Sequence, residues 1–262
     1  MSLTDHAISS IAGMNATHGD ARSALKAFWT RAELGKLQAK FAVAQEMDIL
    51  PRLPIQALRA IALQYRYFTQ AFVTDLALLV ARCPEGRLRS LIGQLVNEEL
   101  GSGDPEAAHL RLYDRFLESI GAIDLDAGAD ELSTRMHPRV RELLADLRDR
   151  TINTSTFYAI GMRGMGGECV CGVYFSVMYV HLRKHPFIVE HESKIDWRFW
   201  DIHAGHADVE HNELVRAAVA EFLLEGEHPF ALNEVSAGYD HGTAIWDEFW
   251  STLYGAHIHR SA

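Results

Sequence analysis

An all-α, single-domain helical bundle is the fold predicted by this 262-residue sequence, and three observations carry the prediction. All seven prolines (Pro51, Pro54, Pro84, Pro105, Pro138, Pro186 and Pro229) fall where a helix could begin or end. Between them, apolar residues recur at three- and four-residue intervals, the spacing of one helix face. Strand signals are scarce: there is no Asn-Gly turn and little β-branched alternation. Hydrophobic residues make up 48% of the chain, ample for a core.

In chain order, the spacing predicts helices over about 20–46, 55–82, 86–101, 105–121, 138–149, 152–183, 196–225 and 239–256. Residues 1–19 read as a loosely ordered N-terminal arm. The acidic, glycine-containing run from Gly121 to Ser133 reads as a surface loop, because helices of similar character flank it. No repeat and no low-complexity tract interrupts the pattern.

Composition narrows the function. A net charge of −10 argues against a nucleic-acid binder, which needs a basic face. Three cysteines, one isolated and two as Cys169-Val-Cys171, give no disulfide framework. The N-terminus lacks the basic and apolar segments of a signal peptide, and no window reaches about 18 uninterrupted apolar residues. The expectation is a cytoplasmic protein without a membrane span.

Three stretches carry metal-ligating side chains. The first runs from Asn97 to Leu117. Glu98 and Glu99 close one apolar helix, Gly101 and Gly103 break it, and Asp104-Pro105 opens the next. His109 follows one turn inside, three residues after Glu106, the spacing at which two helical ligands share a face. Two solvated glutamates and a surface histidine would give the same sequence.

The second stretch, Phe157 to Val180, is almost wholly apolar and reads as a helix buried on all sides. Glu168 is its only acid, and a lone buried carboxylate costs several kcal/mol unless paired or metal-bound. Gly161, Gly164, Gly166 and Gly167 precede it. Each helical glycine costs about 1 kcal/mol against alanine, so close helix approach or room for a ligand must favour them. Pairing of Glu168 with Arg163 is the plain alternative, at a five-residue spacing poor for one helix face.

The third stretch, Phe199 to Glu213, sets His203, His206, Asp208 and His211 within nine residues. Imidazoles with an interleaved carboxylate suit iron, zinc or manganese. On an ideal helix His203 and Asp208 lie about 140° apart, too wide for one cluster. A one-residue π-bulge, placed at Gly205, would close the gap.

Together these stretches resemble the heme-oxygenase-like diiron oxidases and oxygenases, in the superfamily that also holds thiaminases and pyrroloquinoline quinone synthase. The resemblance spans roughly Leu63 to Ala217 and implies a heme-oxygenase-like bundle of about seven core helices. It implies six metal residues: Glu99 in Glu-Leu-Gly, His109, Glu168 after Gly166-Gly167, and His203, Asp208 and His211 after Phe199-Trp200. The family spaces its late histidine and aspartate by three residues. Here there are four, so either a bulge absorbs one or His206 takes a role. Some N-oxygenating members use an additional carboxylate, for which Glu98, Glu106 and Asp75 are candidates.

The implied cofactors are two Fe ions, cycling between Fe(II) and Fe(III), with O2 as co-substrate. Arg163, Met162, Met165 and Tyr158 are the expected substrate contacts, Arg163 as the cation for a substrate carboxylate. The implied activity is oxidation of a small amine or amino acid, by N-oxygenation or oxidative C–C or C–N cleavage, in a biosynthetic pathway. The expectation leaves room for an external electron donor and a homodimer. The alternatives are fatty-acid oxidative decarboxylation, a thiaminase-like hydrolase using Cys169 or Cys171, and a non-catalytic helical interaction protein.

Overall fold

In a computed structural model, the protein is described over residues 18–126, 129–165, 168–203, 215–223 and 231–258. Every regular element among the described residues is a helix. They are α1 (His18–Met47), α2 (Ile55–Arg82), α3 (Arg87–Glu99), α4 (His109–Ser119), α5 (Ala129–Thr134), α6 (Pro138–Asn153), α7 (Thr156–Ala159), α8 (Glu168–Leu182), α9 (Pro186–Glu190), α10 (Arg198–His203), α11 (residues 215–223) and α12 (Ala231–Ile258). A π-helical segment, Ile160–Met165, follows α7. The expected arm at 1–19 lies outside the described residues up to position 17, and His18 and Gly19 belong to α1.

The organising helix is α2. Its run from Leu58 to Thr69 is almost continuously buried, so it packs neighbours on several sides. It lies against α3, α4, α6 and the π segment, while α12 runs along α7 and the π segment. On the other flank, α8 lies against α1, and α10 rests on both α4 and α8. One contiguous core joins all of these.

Four boundaries differ from the sequence reading. The helix expected over 152–183 breaks at Thr154-Ser155, because the Ser155 hydroxyl accepts from the Tyr158 amide (3.1 Å) and starts a new helix. The stretch expected as a helix from 105 begins as a 3-10 turn, Pro105–Ala107, with α4 starting only at His109. The expected loop at 121–133 contains α5. The last helix begins at Ala231 rather than 239.

That earlier start has a packing cause. A Cβ on Gly161 would overlap the carbonyl oxygen of Val235, and a Cβ on Gly238 would overlap that of Tyr158. The π segment and α12 therefore meet backbone to backbone, each supplying a glycine. Of the two explanations for the central glycines, close approach holds at Gly161. We expect Gly161→Ala to destabilise the fold by at least about 1–3 kcal/mol through overpacking. Chemical denaturation reads this as a lower midpoint, and an unchanged midpoint would refute the close approach.

Candidate metal centre

The first half of the site is a pinned turn. α3 ends at Glu99, and Gly101 adopts a left-handed φ of 86°. The Gly101 amide donates to the Glu98 carbonyl (2.8 Å) and the Ser102 amide to that of Asn97 (2.8 Å). This paired reversal closes a helix where glycine tolerates the backbone. A Cβ on Gly101 would also overlap the Asp104 carbonyl oxygen. The Asp104 carboxylate then accepts from the Glu106 amide (2.9 Å), and the chain re-enters a helix at His109. The outcome is that Glu99 Oε1 and His109 Nδ1 lie 3.0 Å apart, with both side chains about 15% exposed.

The second half arrives from α10. His203 meets His109 edge to face, with ring centroids 4.8 Å apart. The His203 Nδ1–H donates to the Phe199 carbonyl one turn earlier (2.7 Å). That bond fixes the tautomer and places the lone pair on Nε2, the orientation a metal-binding imidazole needs. Phe199 and Phe175 pack on the His203 ring at 4.2 and 4.8 Å. Tyr113 backs Phe199 at 4.7 Å, its buried hydroxyl donating to the Ala62 carbonyl (2.9 Å). This aromatic wall closes the site on the core side.

Glu99, His109 and His203 bring one ligand atom each to within 4.8 Å of one another. A spacing of 3.0 Å between two of them matches adjacent corners of an octahedron with bonds of about 2.1 Å. Two imidazoles and one carboxylate are the donor set that non-heme Fe(II) enzymes use, leaving positions open. The α3 C-terminus, carrying Glu99, is also the end of a helix that favours a cation. The residues present therefore fit an iron ion.

The other expected metal residues divide in two. Glu168 is the first residue of α8, directly after the π segment, and its side chain lies outside the described set, as do those of Cys169 and Cys171. Asp208, His211 and His206, together with the irregularity expected at Gly205, fall in residues 204–214, also outside the described set. The π segment at Ile160–Met165 was not foreseen in the sequence reading. Its one sequence signal is the pair Gly161 and Gly164.

Two of the three extra carboxylates, Asp75 and Glu106, are held in ion pairs. Asp75 is wholly buried and forms ion pairs with Arg163 and Arg148. Glu106 does not share a helical face with His109, because the 3-10 turn rotates it outward to Arg115 and to Arg111 (3.4 Å). Glu98 is half-buried and accepts from Gln94 Nε2 (2.8 Å).

Three of the four expected substrate contacts, Arg163, Met162 and Met165, lie in the packed interior. Arg163 is 2% exposed, with Asp75 on its Nη2 and the Phe72 ring 5.3 Å away, so its charge is already matched by a carboxylate. Met162 and Met165 are core residues. Tyr158 packs against α12 near His241, at 6.2 Å between rings. An open groove of about 540 Å³ is lined by Asp104, Glu106, Arg115, Arg198, Asp201 and Ile202 among others, from the segments that carry His109 and His203.

The two-histidine, one-carboxylate cluster thus sits within an all-helical bundle among the described residues. Residues 59–247 match the family described as iron-containing redox enzymes, and the chain belongs to that family. Among curated proteins, none matches the sequence. A CADD-like protein of unknown function from Nostoc punctiforme superposes with a TM-score of 0.71 at 16% identity, covering 88% of this chain and 97% of that one. A TenA homolog from Pseudomonas syringae pv. tomato gives 0.59 at 15% identity, covering 85% and 92%. At these identities the likeness is one of fold, the heme-oxygenase-like bundle. No helix among the described residues is long and apolar enough to cross a membrane.

Proposed function

We propose that this protein is a non-heme diiron, O2-activating oxidase or oxygenase that acts on a small amine or amino-acid-type substrate, by N-oxygenation or oxidative C–C or C–N cleavage. The observation that carries the reading is the convergence of Glu99, His109 and His203 in a member of an iron-containing redox family. Glu168, Asp208 and His211 complete the proposed six-residue set, and a biosynthetic role is part of the proposal.

Bound iron would supply the electrons that activate O2. The chain does the rest. Glu99 contributes a hard anionic oxygen and His109 a nitrogen beside it, held by a turn that permits little other geometry. Phe199 orients His203 through its carbonyl and, with Phe175 and Tyr113, keeps bulk water from the inner side of the cluster.

Anaerobic Fe(II) titration with metal analysis, followed by an O2 pulse, tests the proposal. We expect two irons per chain and O2 consumption by the loaded protein, with fewer irons in Glu168→Ala. Saturation at one iron per chain would sink the diiron reading, and no iron uptake would sink the metal site altogether.

A further inference from the structure

Two oxidisable rings, Trp200 and Tyr179, lie between the phenylalanines that flank His203 and the surface. From the Phe199 and Phe175 rings that flank His203, Trp200 is 5.6 and 6.0 Å away, centroid to centroid. Trp200 is almost wholly buried, and it stacks on Tyr179 at 6.2 Å with only 5° between the planes. Tyr179 is half-buried on α8, and its hydroxyl donates to Asp201 Oδ1 at 2.7 Å. Asp201 is exposed and lines the open groove.

This order of residues has a chemical sense. Phenylalanine is too hard to oxidise to hold a charge, whereas tryptophan and tyrosine can each lose one electron. Tryptophan can do so without losing a proton, which suits the buried position of Trp200. A tyrosine must shed its phenolic proton, and the Tyr179 hydroxyl already donates to Asp201 Oδ1, which gives that proton a path to the groove. Burial and the Asp201 hydrogen bond push the Tyr179 hydroxyl up to about 12, so the proton is in place at neutral pH. Tyr113, which also touches Phe199, is a poorer terminus: it is fully buried and bonded to a backbone carbonyl, which is a weak proton acceptor.

We propose that Trp200 and Tyr179 form an electron relay between the iron site and the surface, with Asp201 as the proton acceptor of Tyr179. The relay rests on the iron-binding reading above. In one cycle Trp200 gives one electron toward the oxidised iron and is left as a radical cation. Tyr179 refills it, passes its phenolic proton to Asp201 and becomes a neutral radical. A thiol at the surface returns one hydrogen atom, restoring the phenol and leaving a thiyl radical, while Asp201 releases its proton to water. Oxidation of the iron without substrate is thereby discharged at the surface, not on the ligands.

The test uses iron-loaded protein, pulsed with O2 without substrate and freeze-quenched for electron paramagnetic resonance. Iron content and O2 uptake are measured on the same sample. We expect a tyrosyl radical in the wild type, a tryptophanyl radical in Tyr179→Phe, and at least a tenfold smaller signal in Trp200→Phe. Asp201→Asn should slow tyrosyl formation. A sample that holds iron and consumes O2 with no aromatic radical overturns the relay, as does a signal that survives Tyr179→Phe unchanged and disappears in Tyr113→Phe. If the protein takes up no iron, a ruthenium photo-oxidant coordinated to the His203 imidazole reads the same path without the metal. Failure to oxidise Tyr179 in that experiment also overturns the proposal.

Discussion

Asp75→Ala is expected to lower the unfolding free energy by about 3–5 kcal/mol. The carboxylate is wholly buried and carries two arginines, Arg148 on Oδ1 and Arg163 on Oδ2. The two partners differ. Arg148 is 38% exposed and can turn to water when its partner goes, but Arg163 is 2% exposed and cannot. Removing Asp75 takes away a carboxylate bonded to a guanidinium that is held in the core beside the Phe72 ring. Breaking one side of a buried pair is costlier than replacing both, so Asp75→Leu combined with Arg163→Met should recover part of the loss. Asp75→Asn should fall between. Thermal melting checks the series at about 2–4 °C per kcal/mol for a chain of this size. A melting point within about 2 °C of wild type for Asp75→Ala would show that the pair is not a strap on the π segment.

The second large effect concerns iron. His203→Ala is expected to weaken Fe(II) binding by at least about 100-fold, since loss of residues that only orient a metal ligand already costs 10–100-fold. The apo-protein should lose little stability, because the Phe199, Phe175 and His109 rings around the site can partly close over the gap. His206→Ala should bind iron almost as wild type does. The two variants thus separate the histidines that the sequence left as alternatives. Retained affinity in His203→Ala with loss in His206→Ala would assign the ligand to the other histidine and dissolve the cluster with Glu99 and His109.

The fold was legible because its signals are local and repeated. Proline punctuation and three-to-four spacing located α2, α3 and α6 closely, and the helix-breaking glycines marked the turn between Glu99 and His109. What escaped depends on contacts between distant segments. The π segment and the early start of α12 come from a fit between Gly161 and Gly238, 77 positions apart, which no single window shows. Arg163 shows the same limit. Its ion pair with Asp75, on another helix 88 residues away, shows in no window around Glu168. Glu106 was misplaced for a local reason: periodicity cannot distinguish a 3-10 turn from the first turn of an α-helix. At the site itself, residue types and order pointed to Glu99, His109 and His203 together. Of the aromatic wall, Phe199 belonged to the Phe199-Trp200 motif, but Phe175 and Tyr113 carried no signal, because aromatic residues at helical spacing look the same in any core.

The turn through Gly101 also bears on how the site comes into being. Glu99 and His109 are ten residues apart and are joined by a locally hydrogen-bonded reversal, so that half can form as soon as the chain around it exists. His203 is 94 residues further on, and its arrival closes a far longer loop, an entropic cost met only when α10 docks on α4 and α8. Tight metal retention would then mark the completion of folding: a chain still being made could hold iron only weakly, through two neighbouring donors. The complete three-residue cluster would exist only once these two distant stretches of sequence meet.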